Sequence, residues 1–148
     1  MAEFDRASAR LLRKGNRFED FEVGRVLEHH WGRTFNEGDN SLFSSVTMAF
    51  NPLYFNREYA TANGHPDIVI NPMLLLSTVV GLSVEDLSEG GGPFLGVNEL
   101  PFHRPVYPGD TVGAWSTVVA SRESGSRPLF GIVTWYTEAF NQRGEREI

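Results

Sequence analysis

The segment AFNPLYFN, from Ala49 to Asn56, contains an amide and a phenol that could bind a small ligand. Asn51 can donate and accept hydrogen bonds, although an Asn in a turn sequence more often caps the turn. Tyr54 carries a phenol whose ordinary pKa of about 10 makes it a poor base near neutral pH. It could equally be an aromatic residue at the rim of a pocket, with its hydroxyl in water. The segment has no carboxylate, histidine or cysteine, so it contains no ready acid–base pair.

The four histidines offer one further candidate for proton transfer. His65 lies beside Asp67 in a predicted loop, where it could stand in as a base. His29 and His30 lie on a predicted strand without a partner at the spacing of metal ligands, so we predict no metal site. The absence of cysteine excludes a disulfide, a thiolate nucleophile and a cysteine-based metal site.

Composition and charge limit the class of protein. With 148 residues, 41% of them hydrophobic and 22% charged, the chain is predicted to form one globular domain over residues 18–148. A net charge of −6 argues against nucleic acid as the main partner. No run of about 18 apolar residues indicates a membrane span, and the charged start lacks the apolar core of a secretory signal. A cytoplasmic location is the simplest expectation.

Residues 1–17 form a basic arm ahead of this domain. A cluster of cations in the arm could contact a phosphate-bearing ligand; its members are Arg10, Arg13, Lys14 and Arg17. We favour a solvated and partly disordered arm, because charged terminal segments seldom pack against a domain.

The elements that must position these residues are predicted from turn and helix signals. Asn36-Glu37-Gly38-Asp39 is a helix start, and Asn51-Pro52 ends the helix that follows. Asn71-Pro72 is also ordinary helix-start chemistry, with an N-cap before a proline in the first helical position. The predicted strands are Val26–Thr34, Phe94–Val106, Thr111–Arg122 and Leu129–Asn141, and further helices are predicted at Arg57–Asn63 and Met73–Leu87.

This order indicates an α+β fold, a curved antiparallel sheet wrapped around a central apolar helix. The helix is predicted at Met73–Leu87, which is apolar on nearly every side in its first half. Asn141 to Gly144 predicts another hairpin, whose return strand has barely begun at Ile148, so we expect the natural last strand to continue. An open sheet of this size leaves edges to cover, which favours dimerisation.

Four stretches at consistent spacing carry a resemblance to a known family. They are FEDFEVG at 18–24, GRTFNEGDN at 32–40, NPLYFNREYA at 51–60 and FHRPVYPGDTV at 102–112. They resemble the MaoC-like dehydratases, including the (R)-specific enoyl-CoA hydratases. SRPLFGIVTWYTEAFNQRGE at 126–145 is similar to the closing hairpin of the itaconyl- and mesaconyl-CoA hydratase branch. The resemblance covers residues 18–147 and implies a hot-dog fold that acts on an acyl thioester carried by coenzyme A or an acyl carrier protein.

The residues that carry the family's hydration chemistry are replaced at the matching positions. In the family, a stretch like Asp-x-Asn-Pro-x-His positions water and shuttles its proton, but here Ala49 stands at the Asp position and Tyr54 at the His position. The family also commonly has a backbone N–H at the position of Pro72 that polarises the thioester oxygen, and proline has none. The Met73 N–H could substitute only if the loop shifts.

The resemblance therefore implies two main alternatives. In the first, the chain is a lyase-type enzyme that works without the usual pair, with Tyr54 as hydrogen-bond donor or acid. Asn51 and Asn71 would then orient the carbonyl. The substrate-binding residues would be Met73, Asn98 and His65.

In the second alternative, the chain is a non-catalytic hot-dog subunit that holds the acyl chain for an active partner. Thioester hydrolysis is a weaker third option, for which only Glu58 and Glu99 offer carboxylates. A conventional crotonyl-CoA hydratase is not expected. No cofactor is expected beyond the coenzyme A or phosphopantetheine of the substrate, and the expected assembly is a homodimer or a heterodimer with another hot-dog subunit.

Overall fold

The computed structural model describes residues 14–148. Most of the predicted basic arm, including Arg10 and Arg13, lies outside the described residues. Where the described chain begins, the Asn16 amide donates to the Asp86 carbonyl at 2.7 Å. The elements, in chain order, are strand β1 (Val26–Thr34), helices α1 (Glu37–Thr47), α2 (Arg57–Ala62) and α3 (Pro72–Leu87), and strands β2 (Thr111–Glu123) and β3 (Gly131–Asn141), with 3₁₀ turns at Phe18–Asp20 and Pro52–Tyr54.

The three strands form one antiparallel sheet in the order β1-β2-β3. Alternate residues of β2 are buried from Val112 to Val118, as expected of a strand with one face on a core. The register shifts once between β1 and β2 and once between β2 and β3, and such irregularities increase the twist of a sheet. β1 has its predicted bounds, and one end of β2 and one of β3 differ from prediction by one and two residues.

Helix α3 packs across the sheet and supplies much of the core. It begins as the sequence predicts, with Asn71 as N-cap and Pro72 in the first turn. One stripe of the helix is buried, and its members recur every four positions: Leu75, Val79, Ser83 and Leu87. The predicted α+β layout is therefore confirmed. Neither α3 nor any other helix within residues 14–148 has the length and hydropathy of a membrane span.

One predicted strand is wrong, because residues 94–106 form no strand in the sheet. Apolar side chains along this segment face solvent, with Phe94, Leu95 and Val97 exposed by 60%, 74% and 48%. Glu99 has a left-handed φ of 55°, which interrupts an extended path. A strand needs a neighbour to receive its backbone hydrogen bonds, and the described residues supply none over most of this stretch. Composition alone could not reveal that missing neighbour.

The predicted closing hairpin is confirmed. The chain reverses after Asn141, and the Glu147 N–H donates to the Ala139 carbonyl at 2.8 Å. The Glu147 side chain is buried, and the Asn141 amide donates to its Oε1 at 2.8 Å. Its Oε2 has no partner among the described residues. Burial raises the pKa of Glu147 to about 7, although the positive charge of Arg104 opposes the shift.

A buried polar chain joins the sheet to the C-terminal part of α3, and we call it the His29 cluster. His29 Nδ1 donates to the Asp86 carboxylate at 2.7 Å, and its Nε2 lies 2.9 Å from Ser116 Oγ. Ser116 Oγ in turn lies 2.7 Å from Thr137 Oγ1. His29 and Ser116 are 4% and 0% exposed, so this chain is part of the core. The two partners of His29 lie 57 and 87 residues away along the chain, which hid them from the sequence.

Candidate functional site

The turn that holds Asn51 and Tyr54 is built from local caps. Helix α1 ends at Thr47, and Met48 adopts a left-handed φ of 54° that redirects the chain. Asn51 Oδ1 accepts from the Leu53 N–H at 3.1 Å, so its carbonyl caps the 3₁₀ turn. The Tyr54 side chain is half-buried, and its hydroxyl has no hydrogen-bond partner within the described part of the chain. Tyr54 therefore keeps a phenol available to a ligand, whereas Asn51 keeps only its amide nitrogen.

Asn40, in the first turn of α1, ties this turn to the start of α3. Its amide nitrogen donates to the Tyr54 carbonyl at 2.6 Å and to the Val69 carbonyl at 2.7 Å. Its Oδ1 accepts from the Asn71 N–H at 2.8 Å. The side chain is fully buried. We call these four groups the Asn40 cluster; it brings the predicted site residues Tyr54 and Asn71 together.

Helix α1 places Asn40 by an N-terminal capping box. Asn36 Oδ1 accepts from the Asp39 N–H, and Asp39 Oδ2 accepts from the Asn36 N–H, both at 3.0 Å. Asp39 also pairs with Arg33 of β1 at 2.5 Å. The start of the helix is thereby fixed beside the sheet, and the next residue, Asn40, points inward.

Residues 71–73, the N-cap and the first two positions of α3, offer no free backbone donor. The Asn71 N–H is bound by Asn40, Pro72 has no N–H, and the Met73 N–H donates to Asn71 Oδ1 at 2.9 Å. Met73 itself is 46% exposed. The sequence suggested the Met73 N–H as a substitute for the missing N–H of Pro72, but this N–H is used in the local cap.

His65 lies close to the start of α3. It contacts Tyr107 rather than Asp67, its neighbour in the sequence. Its Nδ1 lies 3.0 Å from the Tyr107 hydroxyl. Asp67 instead accepts from Arg57 Nε at 2.8 Å, and hydrogen bonds from Arg57 and the Ile68 N–H lower the pKa of Asp67. Burial raises the pKa of Tyr107, with a smaller contribution from a nearby carboxylate. His65 is thus paired with a phenol that stays protonated at neutral pH.

A cleft with a volume of about 300 Å³ opens beside the start of α3. One wall is formed by Val69, Ile70, Pro72 and Leu75, and the other by residues 102–106. None of the predicted site residues lines it, neither the catalytic candidates nor the substrate-binding ones: Tyr54, Asn51, Asn71, Met73, Asn98 and His65. Asn98 is exposed in the irregular segment before the cleft.

A second cavity of about 260 Å³ lies against α1 and the AFNPLYFN segment. It is lined by Phe50 and Phe55, whose rings meet edge to face 6.4 Å apart, and by three serines of α1. One of these serines, Ser44, has a buried hydroxyl with no partner among the described residues. Residues 14–148 contain no group of three His, Cys, Asp or Glu side chains placed to hold a metal ion.

Two features of the site were missed at the level of sequence. Asn40 belongs to the GRTFNEGDN stretch, and its only local signal was an amide in the first turn of a helix one turn before Ser44. Residues 102–106 were predicted to belong to a strand, and the proline–glycine turn that follows them gave no sign that they line a cleft beside the start of α3. Both features depend on contacts between distant segments.

The sequence as a whole matches one known family model. The model is described as mesaconyl-CoA hydratase, and the match covers residues 1–148. The mesaconyl-CoA hydratase of Haloarcula hispanica is 40% identical over 134 residues, which cover 90% of this chain and 37% of the relative. The chain spans little more than a third of the length of this curated relative.

Solved structures agree with the fold. A putative MaoC domain protein dehydratase from Chloroflexus aurantiacus has a TM-score of 0.79 and 30% identity, over 90% of this chain and 38% of that one. A Mycobacterium tuberculosis protein described as having a double hot-dog fold has a TM-score of 0.78 and 22% identity, over 90% of this chain and 41% of that one. The second likeness shows the fold alone. Together they confirm the hot-dog fold that the sequence motifs imply.

Proposed function

Because the chain belongs to the mesaconyl-CoA hydratase family of MaoC-like hot-dog proteins, we propose that it is one hot-dog unit of an enzyme that hydrates or dehydrates an acyl-CoA thioester. The observation that carries this proposal is the family match over all 148 residues. The name of the Haloarcula hispanica relative makes mesaconyl-CoA the first substrate to test. The proposal includes no cofactor beyond coenzyme A, which enters as part of the substrate.

The proposed reaction adds water across the double bond next to the thioester. The hydroxyl group goes to the β-carbon and a proton goes to the α-carbon, and dehydration reverses both steps. Such a reaction requires a group that gives or takes the proton and donors that stabilise the carbonyl oxygen. Tyr54 is the proposed hydrogen-bond donor or acid, because its hydroxyl has no partner among the described residues. The Asn51 amide nitrogen is the proposed donor to the carbonyl oxygen.

The remaining predicted residues have supporting roles in this proposal. Asn71 fixes the start of α3, because its Oδ1 accepts from the Met73 N–H. Met73 and Asn98 are exposed and would contact substrate only from outside the cleft, and His65 would act through its contact with Tyr107.

A second candidate function is an acyl-binding unit whose partner supplies the acid and base. Three observations favour it. Ala49 has no titratable group, residues 71–73 offer no free N–H, and Asn51 uses its carbonyl in its own turn. The chain also spans only 37% of its Haloarcula hispanica relative, so that relative has room for a second unit.

We propose that a second hot-dog unit would cover residues 94–106, the segment that was predicted as a strand but forms none. Phe94 and Leu95 expose 60% and 74% of their surface there, and the backbone around them lacks hydrogen-bond partners among the described residues. Backbone groups without hydrogen-bond partners can pair with another chain, as they do at the edges of sheets. A homodimer and a heterodimer would both supply such partners.

Turnover of mesaconyl-CoA by the purified protein tests the primary proposal. The loss of the conjugated double bond can be followed by absorbance, and the product by mass spectrometry. We expect Tyr54→Phe to lose about 100-fold in kcat, as when a general acid is removed. The matched control is Tyr59→Phe, which removes an exposed phenol from α2 and should leave turnover unchanged. Equal activity of Tyr54→Phe and wild type would remove Tyr54 from the mechanism.

The same assay separates the two candidate functions. An acyl-binding unit would bind the non-reactive thioester butyryl-CoA but would not turn over mesaconyl-CoA alone. Turnover would then appear when a second hot-dog protein of the family, with an intact Asp and His pair, is added. A protein that binds no acyl-CoA would contradict both candidates.

A further inference from the structure

Asn40 uses all the hydrogen-bonding capacity that its buried position allows. An amide side chain has two N–H donors and one carbonyl acceptor, and here both donors and the acceptor are engaged. The two donors meet two backbone carbonyls, and the acceptor meets a backbone N–H. Only one orientation of the amide group satisfies all three partners, so the side chain is fixed.

The three partners of Asn40 belong to three separate segments of the candidate site. The Tyr54 carbonyl ends the NPLY turn, the Val69 carbonyl lies in the wall of the cleft, and the Asn71 N–H opens α3. A second link runs in parallel, because the Val69 N–H donates to the Leu53 carbonyl at 2.8 Å. Replacement of Asn40 would leave this one link in place but would remove the hydrogen bonds to the Tyr54 carbonyl and the Asn71 N–H, so the turn would be held less firmly against the start of α3.

We propose that Asn40 is the positioning residue of the acyl-thioester site, because it holds the Tyr54 turn against the start of α3. This inference rests on the proposed function, since the site it would position is the proposed thioester site. Asn40 is completely buried and hydrogen-bonds only to backbone groups, so it would act through the backbone of Tyr54 and Asn71. A shift of about 1 Å in such a turn can change a rate by 100-fold, even though no reacting group is removed.

A residue with only a structural role would lower stability without a specific effect on the ligand. Ser116 offers the matched control, because it is equally buried and hydrogen-bonded but belongs to the His29 cluster in the core. Asn40→Ala and Ser116→Ala both remove a buried polar group. We expect both variants to unfold at lower denaturant concentration than wild type.

The two variants should differ in their affinity for a thioester. Binding of butyryl-CoA by titration calorimetry, at a temperature where each variant is folded, should be about tenfold weaker for Asn40→Ala and unchanged for Ser116→Ala. Where the wild type turns over mesaconyl-CoA, the effects of Asn40→Ala and Tyr54→Phe on kcat should also be non-additive, because one residue acts through the other. Wild-type affinity in folded Asn40→Ala, or an equal loss in Ser116→Ala, would overturn the inference.

Failure of the wild type to bind any acyl-CoA would instead overturn the proposed function. If Asn40→Ala does not fold, two measurements still test the inference. Asn40→Ser keeps a hydroxyl for one of the three partners and should show a smaller loss of affinity than Asn40→Ala would cause. In the wild type, the backbone N–H of Asn71 should exchange slowly with solvent deuterium, because it donates to Asn40 Oδ1. Rapid exchange at Asn71 would contradict the geometry.

Discussion

The two ends of α3 are held by two different kinds of buried polar contact. At its start, the Asn40 cluster uses a neutral amide and binds only backbone groups. Toward its end, the His29 cluster uses an ionisable ring and a carboxylate and binds only side chains. The first arrangement sets the positions of chain segments around a site. The second fastens the helix to the sheet.

The separation of the two clusters makes their roles testable. Asn71 and Asp86 are fifteen residues apart, which corresponds to about 22 Å along a helix. Changes at sites this far apart usually add in their effects on stability. We therefore expect changes in the His29 cluster to alter stability and changes in the Asn40 cluster to alter ligand binding as well.

The largest expected effect on stability is that of His29→Leu. The change removes the buried partner of Asp86 and one partner of Ser116, and we expect the free energy of unfolding to fall by about 3 kcal/mol. Part of the Asp86 side chain reaches solvent, which keeps the loss from being larger. Urea unfolding monitored by circular dichroism measures it. A change in the free energy of unfolding below about 0.5 kcal/mol, or a specific loss of butyryl-CoA affinity, would contradict the proposed difference between the two clusters.

The next largest effect is the pH dependence of stability caused by Glu147, a buried acid outside the His29 cluster. Burial raises the pKa of Glu147 to about 7, above its unfolded value near 4.5. The folded state therefore holds a proton that the unfolded state has lost between these two values, and stability falls as pH rises through this window. Glu147→Gln should remove about 2 kcal/mol of this fall. Unfolding of both proteins at pH 5 and pH 8 measures it.

A control variant tests whether the pH dependence belongs to Glu147. Asp86→Asn changes the His29 cluster but keeps Glu147, so the fall in stability assigned to Glu147 should persist in that protein. If Glu147→Gln and wild type lose stability equally between pH 5 and pH 8, Glu147 does not bind the proton. The burial argument for its raised pKa would then be wrong.

The smallest effect concerns the cap that starts α1. Asn36→Ala removes the acceptor for the Asp39 N–H and should lower the free energy of unfolding by about 1 kcal/mol. Because α1 carries Asn40, a small loss of butyryl-CoA affinity should accompany it, below that of Asn40→Ala. Thermal unfolding and the same calorimetric titration provide the measurements. A loss of affinity as large as that of Asn40→Ala would place the control of the site in the cap rather than in the amide.

The elements with strong local signals were predictable from the sequence. The Asn-Pro start of α3 and the helix start at Asn36 to Asp39 are short-range patterns, and the structure places both as expected. Residues 94–106 have the composition of a strand but no adjacent strand to pair with, because pairing depends on the whole fold. Local composition cannot report a partner that lies elsewhere.

The candidate site was predictable in part for the same reason. The motifs around Ala49 and Tyr54 identified the relevant turn, and the loss of titratable groups there was visible from residue types alone. The use of Asn40 to join the turn to α3 was not visible, because its partners lie 14, 29 and 31 residues away. The capture of the Met73 N–H by Asn71 could have been expected, since an N-cap side chain normally accepts a hydrogen bond from the first turn.

Turnover of mesaconyl-CoA by the purified protein, compared with Tyr54→Phe and Tyr59→Phe, tests whether this unit carries the chemistry. We expect hydration by wild type and by Tyr59→Phe, and a loss of about 100-fold in Tyr54→Phe. Binding of butyryl-CoA without any turnover would contradict the claim that this unit carries the chemistry and would favour an acyl-binding unit. Absence of both turnover and binding would contradict the account as a whole.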